Sequence, residues 1–360
     1  MLYYLYFYKS AFSPLNIFQY ITFRSAGAFL TALGISLAIA PSIIETLKFK
    51  KAAQAIRLDG PPKHHAKSGT PPMGGIIIYL AMVIATALWA RLDNRFVLLL
   101  LISCTVLWLI GFWDDYLKCF GKRKEGLSPS VKMAGQLALA FGITGYLYLF
   151  PPNVAYHTSV SVPYSKEWVI ALSVFYVPFC MMVLVGSSNA VNLADGLDGL
   201  ASGTLVISAL TYGVFAYLAG NVKFSQYLRI IPVAGAGEMT VVLASLVGAC
   251  LGFLWFNAYP AEIFMGDTGS LFLGGAIGLV AVCVKQELLL VVVGGVFVAE
   301  ALSVLAQVYS FRIHGRRIFK MAPLHHHFEM LGWAETKVTI RFWIVAIVLA
   351  LFALASLKLR

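Results

Sequence analysis

Phe96-Val-Leu-Leu-Leu-Leu-Ile-Ser-Cys-Thr-Val-Leu-Trp-Leu-Ile-Gly-Phe-Trp113 is a continuous apolar run that breaks onto two adjacent acids, Asp114-Asp115. The hydrocarbon core of a bilayer demands roughly 20 apolar residues per helix, and this stretch carries no charge until its end. It is continuous rather than alternating, which points to a helix and away from a barrel strand. Two carboxylates at such a boundary repel each other unless a cation compensates them.

Comparable runs recur along the whole chain on either side. They predict spans near Ser25–Ile44, Met73–Ala90, Phe96–Trp113, Met133–Phe150, Trp168–Gly186, Leu200–Gly220, Met239–Phe256, Phe264–Val284, Leu288–Ser310 and Phe342–Leu357. With 60% hydrophobic and only 12% charged residues, there is too little polar surface for a soluble globule. The expected fold is all-α: a polytopic membrane protein of about ten helices forming a single domain over residues 1–360. Met1–Tyr8 is aromatic and Pro14 interrupts the stretch after it, so residues 1–24 read as an interfacial lead-in; a secretory signal's basic start and cleavage site are not visible. Cys104, Cys119, Cys180, Cys250 and Cys283 are scattered and form no CxxC pair, which argues against zinc and structural disulfides.

Charge orients the bundle, because cytoplasmic connections are enriched in Lys and Arg. Lys48, Lys50, Lys51, Arg57, Lys63 and Lys67 fill the first connection, Lys118, Lys122, Arg123, Lys124 and Lys132 the third, and Arg312, Arg316, Arg317, Lys320 and Lys337 the ninth. The even-numbered connections are poorer in basic residues. Odd connections (near 45–72, 114–132, 187–199, 257–266 and 311–341) are therefore expected inside, with both termini outside. The polar clusters all fall on these odd connections. A transporter would instead place polar groups at mid-membrane and show repeats, and no repeat is visible. The formal charge of +11 suits anionic membrane surfaces and an anionic substrate, although setting topology accounts for most of it.

Each cluster admits a structural and a chemical reading. Asp114 and Lys118 stand four apart, an ordinary helical ion pair; a carboxylate there could equally take a proton from a phosphate or bind its metal. Asn189-Ala-Val-Asn192-Leu-Ala-Asp195-Gly-Leu-Asp198-Gly199 repeats a polar residue every third position. Capping would use one or two such groups, and four favour a binding site. Asp267, between Gly266 and Thr268-Gly269 at the mouth of a span, is costly without a partner. Magnesium is the natural candidate, since it takes oxygen ligands, one or two carboxylates and substrate phosphates; capping of the next helix is the second reading. Phe264 could stack on a base or simply pack. His325-His326-His327 could donate to phosphate oxygens or form a polar turn, and consecutive histidines seldom share one zinc. Glu300, Ser303 and Gln307 share a helical face, expected to point into the bundle.

Taken together these stretches resemble the polyprenyl-phosphate N-acetylhexosamine-1-phosphate transferases. Asp114-Asp115, Asn192-Leu-Ala-Asp195-Gly-Leu-Asp198-Gly and Gly266-Asp267 carry the resemblance to the superfamily. Pro323-Leu-His325-His326-His327 and the Gly69-Thr70-Pro71 to Met73-Gly74-Gly75 segment point to its phospho-N-acetylmuramoyl-pentapeptide transferase branch. Ala194 and Pro72 stand where the family usually has threonine. The resemblance implies transfer from UDP-N-acetylmuramoyl-pentapeptide to undecaprenyl phosphate, giving lipid I and UMP, by a magnesium-dependent homodimer in the bacterial inner membrane with no nucleic-acid partner. By matched position, Asp267 would hold magnesium and Asp114, supported by Asp115, would be the base. Asn189, Asn192, Asp195, Asp198, Asn257, Phe264, Gln307, His325, His326 and His327 would line the donor site, with Lys67, Thr70, Lys118 and Lys132 towards phosphates. The rivals are a related enzyme using UDP-N-acetylglucosamine, a cation or proton transporter, and a lipid-binding scaffold; the last does not explain so many acids on one face.

Overall fold

A computed structural model describes residues 1–50, 69–121, 125–165 and 168–358. Two short 3-10 turns, Leu2–Tyr8 and Ser13–Gln19, lead into α1 (Ile21–Phe49). Next come α2 (Gly75–Trp89), α3 (Arg95–Phe120), α4 (Pro129–Leu149), α5 (Tyr176–Ala194), α6 (Leu200–Ala219), α7 (Val222–Leu228) and α8 (Met239–Asn257). The chain ends with α9 (Asp267–Cys283), α10 (Leu290–Val293), α11 (Gly295–His314), α12 (Leu324–Met330) and α13 (Glu335–Ala355). Among the described residues, seven helices are long and apolar enough to cross a membrane: α1, α3, α5, α6, α8, α11 and α13. α2 and α9 are shorter apolar helices, and α4 occupies the fourth predicted place. This is an all-α polytopic membrane protein, with a helix at each predicted span.

Several boundaries differ from the sequence reading, each for a local reason. The fifth predicted span begins too early: Val169–Ala171 pairs antiparallel with Ser159–Ser161 as a small hairpin, β1 and β2, and α5 starts only at Tyr176. Polar residues then do not end the helices where hydropathy stops. α3 runs on through Asp114, Asp115 and Lys118 to Phe120, and α5 runs on through Asn189 and Asn192 to Ala194. Similarly α13 starts at Glu335, before the apolar run, and α12 sits inside the expected ninth connection. These extensions present polar side chains from rigid helix, not from loop.

α9 is the centre of the bundle. Every residue from Thr268 to Cys283 is buried, as expected of a helix that is apolar all round and surrounded by others. It packs against α3 and α5, while α8 packs against α1, α2 and α6. The approach of α3 is close: a Cβ on Gly111 would lie 2.0 Å from the Asp267 carbonyl oxygen. Only glycine permits that contact, and it brings the acid end of α3 against the first residue of α9. At the same end, Gly74 N–H and Gly75 N–H donate to the carbonyls of Phe264 (2.8 Å) and Met265 (3.0 Å), and Phe264 N–H donates to Pro71 (2.9 Å). The lead-in to α2 is thereby laid along the lead-in to α9.

Opposite ends carry opposite business. At the start of α1 and α8, Arg24 and Glu238 form a buried bidentate pair at 2.7 and 2.6 Å. After α9, Lys285 donates to the carbonyls of His157 (3.0 Å) and Ser159 (3.3 Å) and to the Tyr176 hydroxyl (2.8 Å), which donates to Glu287 (2.8 Å). That buried network ties the hairpin segment to the bundle.

Candidate active site

Four helices meet at Asp267: α3, α4, α5 and its own α9. As the first residue of α9 it sits where the helix dipole favours negative charge. Its Oδ1 accepts from Asn192 Nδ2 of α5 (2.6 Å), and its Oδ2 from Lys118 Nζ of α3 (3.1 Å) and from Lys132 Nζ of α4. Lys118 Nζ also lies 2.5 Å from Asp114 Oδ2 and 3.9 Å from Asp115 Oδ1. Lys132 reaches Asp114 Oδ2 at 3.8 Å. The ion pair expected between Asp114 and Lys118 is therefore present, but as one edge of a cluster of three acids and two lysines.

The adjacent acids differ. Asp115 is a strut: its Oδ2 accepts from the Thr268 N–H (2.8 Å) and hydroxyl (2.7 Å), satisfying the first turn of α9 from outside. Asp114 holds the Leu127 N–H through Oδ1 (2.8 Å). One oxygen from each of Asp114, Asp115 and Asp267 can be chosen so that all lie within 4.8 Å of one another. An octahedral magnesium with bonds of about 2.0–2.1 Å spans about 4.2 Å between opposite ligands. The three carboxylates form an all-oxygen set that could hold a metal ion, with Asp267 as the residue that would carry it.

Behind the cluster, the acid-amide stretch divides its work. Asp195 accepts from Gly266 N–H (3.1 Å), fixing the residue before Asp267. Burial, together with the charge of Asp267, pushes its carboxyl up to about 7. Asp198 accepts from Ala261 N–H (3.1 Å), and its own N–H donates to Glu335 (2.9 Å). Asn257 is a buried staple whose Oδ1 accepts from Gly199 N–H and the Ser202 hydroxyl (both 3.1 Å) and whose Nδ2 donates to Ile263 (2.9 Å). Asn189 donates to Gln136 (2.7 Å), and Asn192 also donates to Ser270 (2.8 Å). The Thr70 hydroxyl donates to Ala261 at 3.4 Å. Phe264, half-buried, is held by its backbone bonds to Pro71 and Gly74.

The histidine segment approaches from the other flank. His325 is fully buried, with Nδ1 3.2 Å from Glu300 Oε1 and its N–H donating to the same oxygen. Its ring covers Gly196, between Asp195 and Asp198: a Cβ there would lie 2.2 Å from Nε2. The expected inward stripe is present, with Glu300 and Ser303 buried. Gln307 is spent on the chain itself, accepting from Ile318 and Phe319 N–H (3.0 and 2.9 Å) and donating to Phe319 (3.1 Å). His326 pairs with Glu329 (2.8 Å), and His327 Nδ1 accepts from Lys320 N–H (3.1 Å). Of the sequence candidates, Asp114, Asp115, Lys118, Lys132, Asn192 and Asp267 meet directly. Asp195, Asp198 and His325 border them, and Asn257 and Gln307 are engaged elsewhere. Lys67 lies outside the described residues.

Sequence reasoning missed Thr268, Ser270, Gln136 and Glu335. The first two follow Asp267 within one turn and were legible as a helix start. Gln136 and Glu335 gave no signal, because their partners are distant in sequence.

The chain matches glycosyl transferase family 4 over residues 97–285, which takes in Asp114, Asp115, Asp195, Asp198 and Asp267. It is 54% identical, over the full length of both chains, to the phospho-N-acetylmuramoyl-pentapeptide-transferase of Endomicrobium trichonymphae. Identity is 51% to the protein of that name from Citrifermentans bemidjiense and 48% to that from Koribacter versatilis, again over the full length of both chains. Matched end to end at such identity, the chain belongs to the phospho-N-acetylmuramoyl-pentapeptide-transferase family within glycosyl transferase family 4.

Proposed function

We propose that this protein transfers phospho-N-acetylmuramoyl-pentapeptide from its UDP-activated form to undecaprenyl phosphate, releasing UMP and forming lipid I, with Asp267 as the residue that would hold magnesium. The convergence of Asp114, Asp267, Lys118 and Lys132 at the mouth of a wholly buried helix carries this reading. Joining a phosphate to a diphosphate sets anion against anion. A bound magnesium supplies charge neutralisation and polarises a phosphoryl oxygen. Lys118 and Lys132 add two positive charges on rigid helices, so neutralisation needs little reorganisation when the anions arrive. Asp114 accepts the acceptor phosphate's proton, and Asn192 keeps the Asp267 carboxylate turned towards the lysines. Asp195, Asp198 and His325 border the donor side. The Lys/Arg bias of the odd connections supports placing this end at the cytoplasmic face of the bacterial inner membrane, where a soluble donor meets a lipid acceptor.

Release of UMP by the purified protein, given UDP-N-acetylmuramoyl-pentapeptide or UDP-N-acetylglucosamine, with and without undecaprenyl phosphate and magnesium, tests the proposal. UMP is expected only with the first donor, the lipid phosphate and the metal together. Turnover of UDP-N-acetylglucosamine alone, or ion flux in proteoliposomes without a nucleotide product, would overturn it.

A further inference from the structure

The stretch 125–128 ahead of α4 does more than lead into it. Gly126 is buried in it with φ +73°, a left-handed conformation that side chains with a Cβ rarely adopt. The next residue, Leu127, aims its N–H at Asp114 Oδ1 (2.8 Å). The space beside Gly126 is already taken: a Cβ would lie 2.6 Å from Asp114 Oδ1 and 2.9 and 3.0 Å from Lys118 Cε and Cγ. Two residues after Leu127, α4 begins at Pro129, with Ser128 as its N-cap residue, and its first turn delivers Lys132 to Asp267. One tight turn thus touches both partners of the Asp114–Lys118 pair and launches the second lysine.

We propose that Gly126 is a positioning residue for Asp114, a deepening that rests on Asp114 being the proton acceptor in the proposed reaction. The Leu127 N–H ties down Oδ1 while Oδ2 lies 2.5 Å from the Lys118 ammonium, so the carboxyl plane is held from both sides. With that tie lost, the carboxylate turns freely against the Lys118 ammonium and presents a different face to an acceptor phosphate. Gly126 secures the tie twice, by permitting the left-handed turn and by leaving room for the carboxylate. Geometric misplacement on the scale of about 1 Å costs about a hundred-fold in rate.

Two substitutions separate steric displacement from backbone strain. Gly126→Ala adds both; Gly126→Asn adds a Cβ while retaining a residue that tolerates the left-handed region, so it keeps the turn foldable. Both are expected to lower kcat about ten- to a hundred-fold with KM for donor and lipid phosphate within about twofold, the Asn variant melting near the wild type. In an Asp114→Asn background, itself strongly impaired, either substitution should change kcat by less than about twofold, because the group it misplaces is already disabled. A full, multiplicative loss in the double variants overturns the positioning role while leaving Asp114 as base. A folded Gly126→Asn protein with wild-type kcat overturns it as well. An Asp114→Asn protein of near-normal rate removes the base and the positioning role together.

Discussion

Replacing Asp267 with asparagine tests the proposed site most directly, and the structure sets the size of the effect. The substitution keeps shape and still offers an oxygen to Asn192 Nδ2, now 2.6 Å from Oδ1. It removes the charge shared by Lys118 (3.1 Å) and Lys132, and turns an amide donor towards them. The folding cost is limited. Both lysines retain Asp114, at 2.5 and 3.8 Å, and the cluster is partly open, with side-chain exposures of 15–24% for Asp267, Lys132 and Lys118. Loss of a favourable charge at a helix start adds roughly 0.3–1 kcal/mol; with the weakened ion pairs discounted for solvent, the whole comes to about 1–2 kcal/mol. The catalytic cost is larger. Removing one electrostatic contact to a transition state typically loses about 100- to 1,000-fold, or roughly 2.7–4 kcal/mol, and loss of metal affinity comes on top. We expect kcat to fall by about 1,000-fold or more, with the melting midpoint in detergent lowered by only a few degrees. UMP release at saturating donor and lipid phosphate, repeated across a magnesium titration, reads this out. A kcat within about tenfold of wild type with unchanged magnesium dependence would refute the reasoning.

Three further outcomes are expected. Cys119 is partly exposed whereas the other four cysteines are buried, so an impermeant maleimide should label it, and only from the cytoplasmic side; labelling of intact cells from outside would reverse the orientation. Glu238→Gln leaves the buried Arg24 guanidinium without its bidentate partner and should destabilise the protein by about 3–5 kcal/mol, while kcat per folded molecule holds because the pair lies at the far end from Asp267; a melt like that of the wild type would show the pair to be dispensable. Burial pushes the Glu287 carboxyl up to about 7, against the opposing pull of Lys285. A buried acid favoured in its protonated form contributes stability fully present below the ordinary glutamate range and lost as pH rises through about 7. Wild type should therefore lose several degrees of melting midpoint between about pH 5 and 8 relative to Glu287→Gln, and parallel pH profiles for the two would disprove it.

The sequence made the helices legible because bilayer burial demands long apolar runs, and each run holds a helix, although the ninth is broken at Gly294 into α10 and α11. Boundaries were harder. Hydropathy marks where a helix leaves hydrocarbon, whereas α3 and α5 continue past it because the acids and amides at their ends find partners on α4 and α9. Val169–Ala171 reads as apolar span but pairs as a strand with Ser159–Ser161, a choice set by a neighbour and not by composition. Within the site, residue types announced themselves through their unlikely position beside a membrane. Their division of labour did not. Asn257 and Gln307 look like ligand contacts in sequence, yet each has its amide engaged at both ends by backbone or hydroxyl groups.

The pair Asp114-Asp115 shows why adjacency in sequence is not equivalence in chemistry. Successive residues on a helix point about 100° apart, so two neighbouring carboxylates at the end of α3 cannot serve one partner equally. Gly111, one turn earlier, sets α3 against the start of α9, and this contact decides which acid faces which way. Asp115 is turned onto α9 and spends one oxygen on Thr268, holding the helix start. Asp114 instead faces Lys118 and the Leu127 N–H, with its carboxylate still within 4.8 Å of that of Asp267. Holding the start of α9 fixes Asp267, because a helix's first residue is located by whatever caps its first turn. One acid therefore places Asp267 while the other faces Lys118 and the Leu127 N–H, and both arrangements require the same close helix crossing. Repulsion between the two carboxylates is offset by Lys118, which approaches both. The doubled aspartate thus serves two different sets of partners, a division set by a single helix contact.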